Sequence, residues 1–233
     1  MRAISVSPSR IWGCCLRKDS SRPRQVLTSA NAAAVGEKMF GAGRRSKSFA
    51  YLTISTGIGS GIILDGKLFL GASFGAGEVG HTIIVPRGER CGCGHRGCLE
   101  AYASGTAIAQ FVRDQIRRGR KSKVKKFVPS EKEITAEVVA LAAERGDPLA
   151  LEAFRRAGYY LGIGLANLIN ILNPEMLILG GSVMKSSRFF WSSMSRSVRR
   201  HAWPSLGRAC KIVKTRLGDQ VGDLGALALV FAC

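Results

Sequence analysis

The stretch Phe49-Ala-Tyr-Leu-Thr-Ile-Ser-Thr-Gly-Ile-Gly-Ser-Gly-Ile-Ile-Leu-Asp-Gly66 decides the fold. Residues 49–55 are rich in β-branched and aromatic types and predict a strand, and residues 61–64 predict a second strand. Asp65-Gly66 predicts a tight hairpin turn before a third strand over residues 67–70. The stretch therefore predicts consecutive antiparallel strands whose first connection is rich in glycine.

Helical and strand patterns alternate along the rest of the chain. Asp147-Pro148 is a favourable helix start, and Asn173-Pro174 ends the long helix that follows it. Strands are also predicted over 176–179 and 211–217, and helices over 31–40, 99–118, 135–145, 148–172, 187–203 and 222–231. This alternation predicts an α/β fold in which helices cover the sheet.

The composition is that of an ordinary globular protein. Of 233 residues, 46% are hydrophobic and 22% are charged, which is enough apolar material for a packed core. The longest apolar stretch, residues 159–172, is interrupted by glycine and asparagine, and it is shorter than the roughly 18–20 residues that span a bilayer. We therefore expect no membrane partner.

The chain is strongly basic. It has 35 Lys and Arg against 16 Asp and Glu, a formal net charge of +19, and residues 113–126 form one of its two basic clusters. An excess of this size favours anionic partners. Aromatic residues do not interleave with the basic ones as a single-strand nucleic-acid groove requires, so a solvated basic face is expected and nucleic acid is not an expected partner.

Residues 1–25 differ in character from the rest of the chain. They are basic, rich in serine and without periodicity, and their apolar part is shorter than the roughly 7–15 residues of a signal-peptide core. A transit peptide is one interpretation of this composition. Disorder is the interpretation that we prefer.

The glycine-rich connection Ser55-Thr-Gly-Ile-Gly-Ser-Gly61 is a candidate phosphate site. Glycines allow close approach of the backbone, whose N–H groups can surround phosphate oxygens, and hydroxyls such as that of Thr56 can add donors. The motif is not a P-loop, because no Gly-Lys-Ser/Thr follows, and an ordinary glycine-rich turn remains an alternative. Gly180-Gly181, after the buried strand 176–179, is a second place where a nucleotide could lie against the backbone.

A cluster of histidine and cysteine predicts a metal site. His81 is followed by Cys91, Cys93 and Cys98, a Cys₃His set of the kind that holds structural zinc with no position open to water. His95 is a rival ligand, although it lies inside the cysteine loop. Free thiols on a flexible loop are the alternative. A zinc site rather than disulfides indicates a reducing, cytoplasmic compartment.

Two carboxylates flank this metal loop. Glu78 precedes His81 by three residues, and Glu100 follows Cys98 by two. Carboxylates and imidazole on a rigid loop suit the hydroxyl groups of a sugar. The alternative is that Glu100 caps the following helix and that Glu78 is merely exposed to solvent.

Together these stretches resemble the signature of the repressor/open-reading-frame/kinase (ROK) family over about residues 26–232. The similar stretches are residues 54–62, Gly77-Glu-Val-Gly-His81, Cys91-Gly-Cys-Gly-His-Arg-Gly-Cys-Leu-Glu100, residues 173–181 and residues 217–226.

The resemblance implies an actin/hexokinase-type fold with ATP and sugar in a cleft between two α/β lobes. It implies transfer of the γ-phosphoryl group of ATP, with Mg²⁺, to a hydroxyl of a hexose or N-acetylhexosamine. The residues that it implies are Thr56, Gly57, Gly59 and Gly61 for the phosphates, Gly180 and Gly181 near adenosine, Glu78, His81 and Glu100 for the sugar, and His81, Cys91, Cys93 and Cys98 for zinc.

Two departures from the family pattern predict weak catalysis. The family's Asp-x-Gly-Gly-Thr phosphate stretch is not found upstream of the hairpin, and the catalytic aspartate of its Asn-Asp-Ala-Asn motif aligns with Ser29. The resemblance therefore assigns residues 26–40 to a remnant of the N-terminal lobe and residues 41–233 to the C-terminal lobe with its zinc loop 81–98. An exposed apolar face on the last helix would favour a homo-oligomer. A sugar-sensing regulator or pseudokinase is the alternative to an impaired hexose kinase.

Overall fold

The computed structural model describes residues 28–231, the last three by their helical backbone alone. It contains a five-stranded mixed sheet in the order β3-β2-β1-β4-β5. The strands are β1 (Phe49–Ile54), β2 (Ile58–Leu64), β3 (Lys67–Phe69), β4 (Met176–Gly180) and β5 (Lys211–Lys214). The first three pair antiparallel, whereas β4 lies parallel to both β1 and β5.

The helices account for most of the remaining chain. They are α1 (Ser29–Met39), α2 (Glu100–Ala103), α3 (Gly105–Arg117), α4 (Ala136–Glu144), α5 (Pro148–Leu172), α6 (Trp191–His201), α7 (Pro204–Ala209) and α8 (Val221–Phe231). Short 3-10 turns lie between them, and one of these, Val79–His81, carries a candidate site residue. No helix within residues 28–231 is both long enough and apolar enough to cross a membrane.

The predicted hairpin is confirmed. Asp65 and Gly66 both have positive φ, 49° and 77°, as a two-residue hairpin turn with right-handed strand twist requires. Strand β2 begins at Ile58, three residues before the predicted start, because Ile58 pairs with Ile54 of β1. Pairing with a neighbouring strand thus overrides the low strand propensity of the glycines.

Both faces of the sheet are covered, as the alternation predicted. Along β1, Ala50 and Leu52 join the large core under helices α3, α5 and α6, and Phe49 and Tyr51 join a smaller core under α1. All four side chains are almost completely buried. A strand that is buried on both faces has a nearly continuous run of apolar residues, and the sequence of β1 is such a run.

Helix α5 confirms the predicted long helix. Asp147 caps its start by accepting a hydrogen bond from the Ala150 N–H at 2.8 Å, and Asn173 ends it in the left-handed region at φ 43°. The glycines that interrupt its apolar sequence have a packing role: a Cβ on Gly158 would lie 2.6 Å from the Phe190 carbonyl oxygen. Glycine therefore lets α5 approach the start of α6 closely.

Three further predicted bounds were wrong. The helix predicted over 99–118 divides into α2 and α3 at Ser104, whose extended backbone lets its hydroxyl accept from the Ala107 N–H at 3.1 Å. The helix predicted over 187–203 is a 3-10 segment, Ser182–Phe189, followed by α6. Strand β5 ends at Lys214, three residues before the predicted end, and the hydroxyl of the next residue, Thr215, donates to Glu37 of α1.

Helix α8 packs on α1. A Cβ on Gly36 would lie 3.0 Å from the Gly225 nitrogen, so the two helices touch along small residues. Ala228 is buried and Leu224 is half-buried, whereas Leu227 is 51% exposed. The apolar face that we expected to be exposed is thus covered in part by α1. The predicted homo-oligomer stays a prediction, and the segment 1–25 lies outside the described residues.

Candidate functional site

The predicted zinc ligands come together at one point. One donor atom from each of His81, Cys91, Cys93 and Cys98 lies within 4.8 Å of the others. The Sγ atoms of Cys93 and Cys98 are 3.7 Å apart, and the Sγ of Cys91 is 3.8 Å from the Nδ1 of His81. The rival ligand His95 lies 3.5 Å from Cys93 but outside this four-residue group.

The geometry and chemistry of these donors fit zinc. A tetrahedral zinc ion with bonds of about 2.0–2.3 Å separates its ligand atoms by roughly 3.3–3.8 Å, which is the range of the two distances above. Burial raises the pKa of Cys98 to about 12 and also raises the pKa of Cys91, whereas hydrogen bonds from the backbone and side chain of His95 lower the pKa of Cys93 to about 6. A bound cation would stabilise all three as thiolates.

The backbone between the ligands is wound tightly by glycine. The N–H of Gly94 donates to the Cys91 carbonyl at 3.0 Å, and the N–H of Cys91 donates to the His95 carbonyl at 2.9 Å. Gly94 and Gly97 have φ of 94° and 85°, a region that residues with a side chain rarely adopt. The sequence therefore directs its three thiols inward without a regular element.

The candidate sugar-binding groups form a chain through this cluster. The Nε2 of His81 lies 4.0 Å from Glu78, while its Nδ1 faces the sulfur of Cys91. On the other side of Cys91, its Sγ lies 3.9 Å from the Oε1 of Glu100. With Nδ1 toward the metal position, the Nε2 side of His81 remains available, together with Glu78, to hydroxyl groups.

Glu100 connects the metal loop to the glycine hairpin. Its Oε2 accepts a hydrogen bond from the Ile58 N–H, at the start of β2, at 2.8 Å. The alternative that Glu100 caps its own helix is therefore wrong, because the carboxylate reaches across to another element. Gly57 leaves room for it, since a Cβ there would lie 2.5 Å from Oε2.

The hairpin glycines differ in what they face. Thr56 and Gly57 lie at the turn, whereas Gly59 and Gly61 lie within β2 against α1. A Cβ on Gly61 would lie 2.5 Å from the Ala30 carbonyl oxygen, so helix packing accounts for glycine at that position. The sequence pattern alone did not reveal this packing role.

Gly180 and Gly181 end β4 beside β1. A Cβ on Gly180 would lie 2.3 Å from the Tyr51 hydroxyl oxygen, and Gly181 has a φ of 95°. The following residue, Ser182, lies with its Oγ 3.1 Å from the Oγ of Ser55. Two regions 127 positions apart in sequence thus meet at one edge of the sheet.

Two clefts open on either side of the start of α3. The first, called here the cationic cleft, has a volume of about 270 Å³ and includes Thr56, Gly105, Thr106, Arg113, Lys132 and Ser182 in its lining. The second, called here the α3 groove, has a volume of about 380 Å³ and includes Thr56, Cys91, Glu100, Thr106, Phe111 and Arg156. Thr56 and Thr106 belong to both clefts.

The start of α3 was missed as a site element. The N–H of Gly105 donates to the Ser55 carbonyl at 2.7 Å, which fixes this helix start against the hairpin. The signal in the sequence was Ser104 as a helix cap, but the predicted single helix over 99–118 concealed it. Arg113, Lys132 and Ser182 carried no motif that marked them.

Ser29, which we predicted to stand at the position of the family's catalytic aspartate, is exposed at the first residue of α1. Its neighbour Ala30 packs on the hairpin, with its Cβ 3.3 Å from where a Cβ on Gly59 would lie. The first turn of α1 contains no acidic residue. The position is therefore beside the hairpin and offers a hydroxyl in place of a carboxylate.

Sequence comparison relates the chain to both kinases and repressors. It is 36% identical over 215 residues to a glucokinase of Thermotoga maritima, covering 92% of this chain and 68% of the glucokinase. It is 35% identical over 208 residues to the xylose repressor of Bacillus subtilis, covering 89% of this chain and 50% of the repressor. The chain thus spans about two thirds of the one relative and half of the other.

Structural comparison gives the same two classes. A ROK family glucokinase from Streptomyces griseus, in complex with glucose and AMPPNP, superposes with a TM-score of 0.79 at 34% identity, covering 88% of this chain and 67% of that one. A ROK family transcriptional regulator, a homologue of the E. coli MLC protein, superposes with a TM-score of 0.77 at 34% identity, covering 89% and 52%. These neighbours confirm the predicted fold class, an α/β fold of the actin/hexokinase type.

The sequence model of the family, described as "ROK family", matches residues 13–232. This match begins earlier than the motifs in the sequence predicted, which was at about residue 26. This chain belongs to the ROK family.

Proposed function

We propose that this chain is the nucleotide- and sugar-binding part of an ATP-dependent hexose kinase, and that it transfers phosphoryl groups slowly. The observation that carries the proposal is the pair of clefts that share Thr56 and Thr106. A phosphoryl donor in one cleft and an acceptor at the other would meet at these hydroxyls. Phosphoryl transfer depends chiefly on such positioning and on charge stabilisation.

The cationic cleft suits the nucleotide. Two cations, Arg113 and Lys132, line it against one carboxylate, Glu137, which favours an anionic ligand. The N-terminus of α3 opens into it at Gly105, and the positive end of the helix dipole there favours an anionic ligand. ATP would bring Mg²⁺ here, which neutralises phosphate charge when bound. The relative crystallised with AMPPNP supports a nucleotide as a ligand of this chain.

The metal loop suits the sugar. Glu78, His81 and Glu100 offer acceptors and an imidazole N–H to the hydroxyls of a hexose or N-acetylhexosamine. Zinc held by His81 and the three cysteines would fix the loop that carries them, and it would have no position open for catalysis. The relative crystallised with glucose supports a sugar at this family's site.

Slow turnover follows from Ser29. A serine hydroxyl does not accept a proton near pH 7, and loss of general base catalysis costs roughly 10²- to 10⁴-fold in rate. The chain would therefore hold both substrates while lacking the group that removes the proton from the attacking hydroxyl.

A coupled assay of ATP-to-ADP conversion on the zinc-loaded chain, with a panel of hexoses, tests this proposal. We expect turnover well below the ordinary kinase range of roughly 1–100 s⁻¹. Ser29→Asp is expected to raise the sugar-dependent rate by roughly 10²-fold or more, and Ser29→Asn, which has the same shape without the charge, is the control. Ordinary turnover by the unmodified chain, or equal activation by both variants, contradicts the assignment of Ser29.

A sugar-responsive regulator is the second candidate function. The observation that favours it is the match to xylose and N-acetylglucosamine repressors at identities close to those of the glucokinases. A regulator of this kind would bind sugar through the metal loop without phosphorylating it. If sugar raises the melting temperature of the chain while the Ser29→Asp variant stays inactive, the regulator is favoured over the kinase.

A further inference from the structure

The α3 groove extends well beyond the candidate sugar groups. From Thr106 to Arg118 it follows one face of α3, and the metal loop at Glu89–Gly92 forms the facing wall. Twelve residues of helix span about 18 Å, whereas one turn, which is roughly the width of one sugar ring, spans about 5.4 Å. A monosaccharide held at Glu100 would therefore fill one end of the groove and leave the rest open.

The charges that line the groove cancel. Three arginines (Arg90, Arg118 and Arg156) are balanced by three carboxylates (Glu89, Glu100 and Asp114). Arg156 and Glu89 already form an ion pair at 3.5 Å. Two neutral amides, Gln110 and Gln115, complete the polar lining. An uncharged ligand with many hydrogen-bonding groups fits this lining better than a nucleotide or another anion does.

A guanidinium packed against three aromatic rings lies at the base of the groove. The guanidinium of Arg156 lies over the rings of Phe111 at 4.8 Å, Tyr102 at 5.0 Å and Tyr160 at 5.2 Å, measured to each centroid. Its side chain is only 22% exposed, so the stack is fixed before any ligand arrives. Phe111 and Arg156 both line the groove, and an aromatic ring and a guanidinium are groups against which the apolar face of a sugar ring can pack.

We infer that the α3 groove is a subsite for a second sugar unit, so that the preferred ligand is a neutral disaccharide that contains a hexose. Of the three candidate sugar-binding residues, Glu100 is the one that lines the groove. The hexose would be held at Glu100, and the second ring would lie between α3 and the metal loop. This inference rests on the proposed sugar site and goes beyond it, because it assigns the size class of the ligand.

The inference is tested by calorimetric titration of the zinc-loaded chain. The ligands are glucose and neutral disaccharides of glucose that differ in linkage. At least one disaccharide is expected to bind about tenfold or more tightly than glucose, the gain from one or two further hydrogen bonds. Gln110→Trp places a bulky ring on the exposed groove face of α3, and it is expected to remove this advantage while glucose binds as before. Arg117→Trp introduces the same ring on the same helix outside both clefts, and it is expected to keep the advantage.

The outcomes separate the inference from the proposed function. Glucose that binds at least as tightly as every disaccharide overturns the subsite and leaves the sugar site standing. A disaccharide advantage that survives Gln110→Trp also overturns the subsite. The absence of binding by any of these sugars overturns both the subsite and the proposed glucose-type site.

Discussion

The metal loop and helix α5 hold their shapes by different means. In α5, 13 of 25 residues are buried, and apolar contacts with the sheet and with α6 stabilise it. In the loop between His81 and Cys98, most side chains are exposed, and four candidate metal donors lie within 4.8 Å of one another. The candidate sugar-binding groups therefore lie on the part of the molecule that has the smaller apolar core, and we expect a bound metal to stabilise that part.

Removing one metal ligand is expected to have the largest effect. Cys98→Ser takes a buried thiol from the set of four, and metal binding energy in such sites is folding energy. Amide hydrogen exchange over residues 82–97 should speed up by at least about 100-fold, while α5 keeps its protection. Zinc content, measured in parallel, should fall from one ion per chain to well below one.

The control for this prediction is Cys210→Ser, because Cys210 is also buried but lies outside the metal cluster. It is expected to retain zinc and to leave exchange in the loop unchanged. If the loop and α5 lost the same amount of protection from amide hydrogen exchange, the two regions would not be stabilised independently. That result would contradict the comparison.

The second prediction concerns apolar packing alone, at the contact between β2 and α1. In Gly61→Ala the new Cβ would lie 2.5 Å from the Ala30 carbonyl oxygen and 2.7 Å from the Ala34 Cβ, so α1 would have to move. Overpacking of this kind destabilises by roughly 2–4 kcal/mol, which denaturant unfolding would measure, with the zinc content unchanged.

Gly222→Ala is the control for Gly61→Ala. It lies in α8 with no atom within 4 Å of its new Cβ, and it should stabilise by up to about 1 kcal/mol because alanine favours helix. Loss of zinc on Gly61→Ala would mean that the loop depends on the position of α1.

The fold could be predicted further from the sequence than the site could. The hairpin at Asp65-Gly66 and the cap at Asp147 are local signals, set by the conformational preferences of a few adjacent residues, and the structure confirms both. The grouping of His81 with three cysteines could also be predicted, because the three cysteines lie within eight residues of sequence.

What could not be predicted depends on contacts between distant residues. The bond between Glu100 and Ile58 joins positions 42 apart, and neither residue type signals it. The division of the helix at Ser104 follows from the Gly105 bond to the hairpin, which overrides the helical periodicity of residues 99–118. The two clefts arise from such contacts, so residues such as Lys132 could not be assigned to a site from their spacing.

The third prediction concerns the connection between the two regions. Glu100→Gln keeps the shape of the side chain but replaces the charged acceptor of the Ile58 N–H, and hydrogen bonds to charged groups contribute about 1.5–3 kcal/mol. Because the amide oxygen of glutamine can still accept this hydrogen bond, we expect the free energy of unfolding to fall by only about 1 kcal/mol. Sugar affinity is expected to fall by roughly 10- to 100-fold.

Glu144→Gln is the control for Glu100→Gln, because Glu144 forms an exposed ion pair with Arg188. It should change neither quantity measurably, since exposed pairs contribute little. Unchanged sugar affinity in Glu100→Gln would remove that residue from the proposed sugar site.

The smallest expected effect appears at alkaline pH and separates the sheet from the metal loop. Burial raises the pKa of Tyr51, on β1, from 10.0 to about 12. The unfolded chain therefore loses this proton at a lower pH than the folded chain does, so stability is full below about pH 10 and falls as the pH rises toward 12. At pH 11 the loss due to Tyr51 is about 1 kcal/mol.

Tyr51→Phe is expected to remove this part of the alkaline slope, while Tyr159→Phe, which alters an exposed ring, keeps it. Denaturant unfolding at pH 8, 10 and 11 measures the difference between the two variants, which cancels the titration of all other groups. An equal slope in both would mean that Tyr51 ionises without resistance from the core. Water would then reach Tyr51 more readily than its exposed fraction of 1% indicates. The buried sheet and the exposed metal loop would differ less than the comparison states.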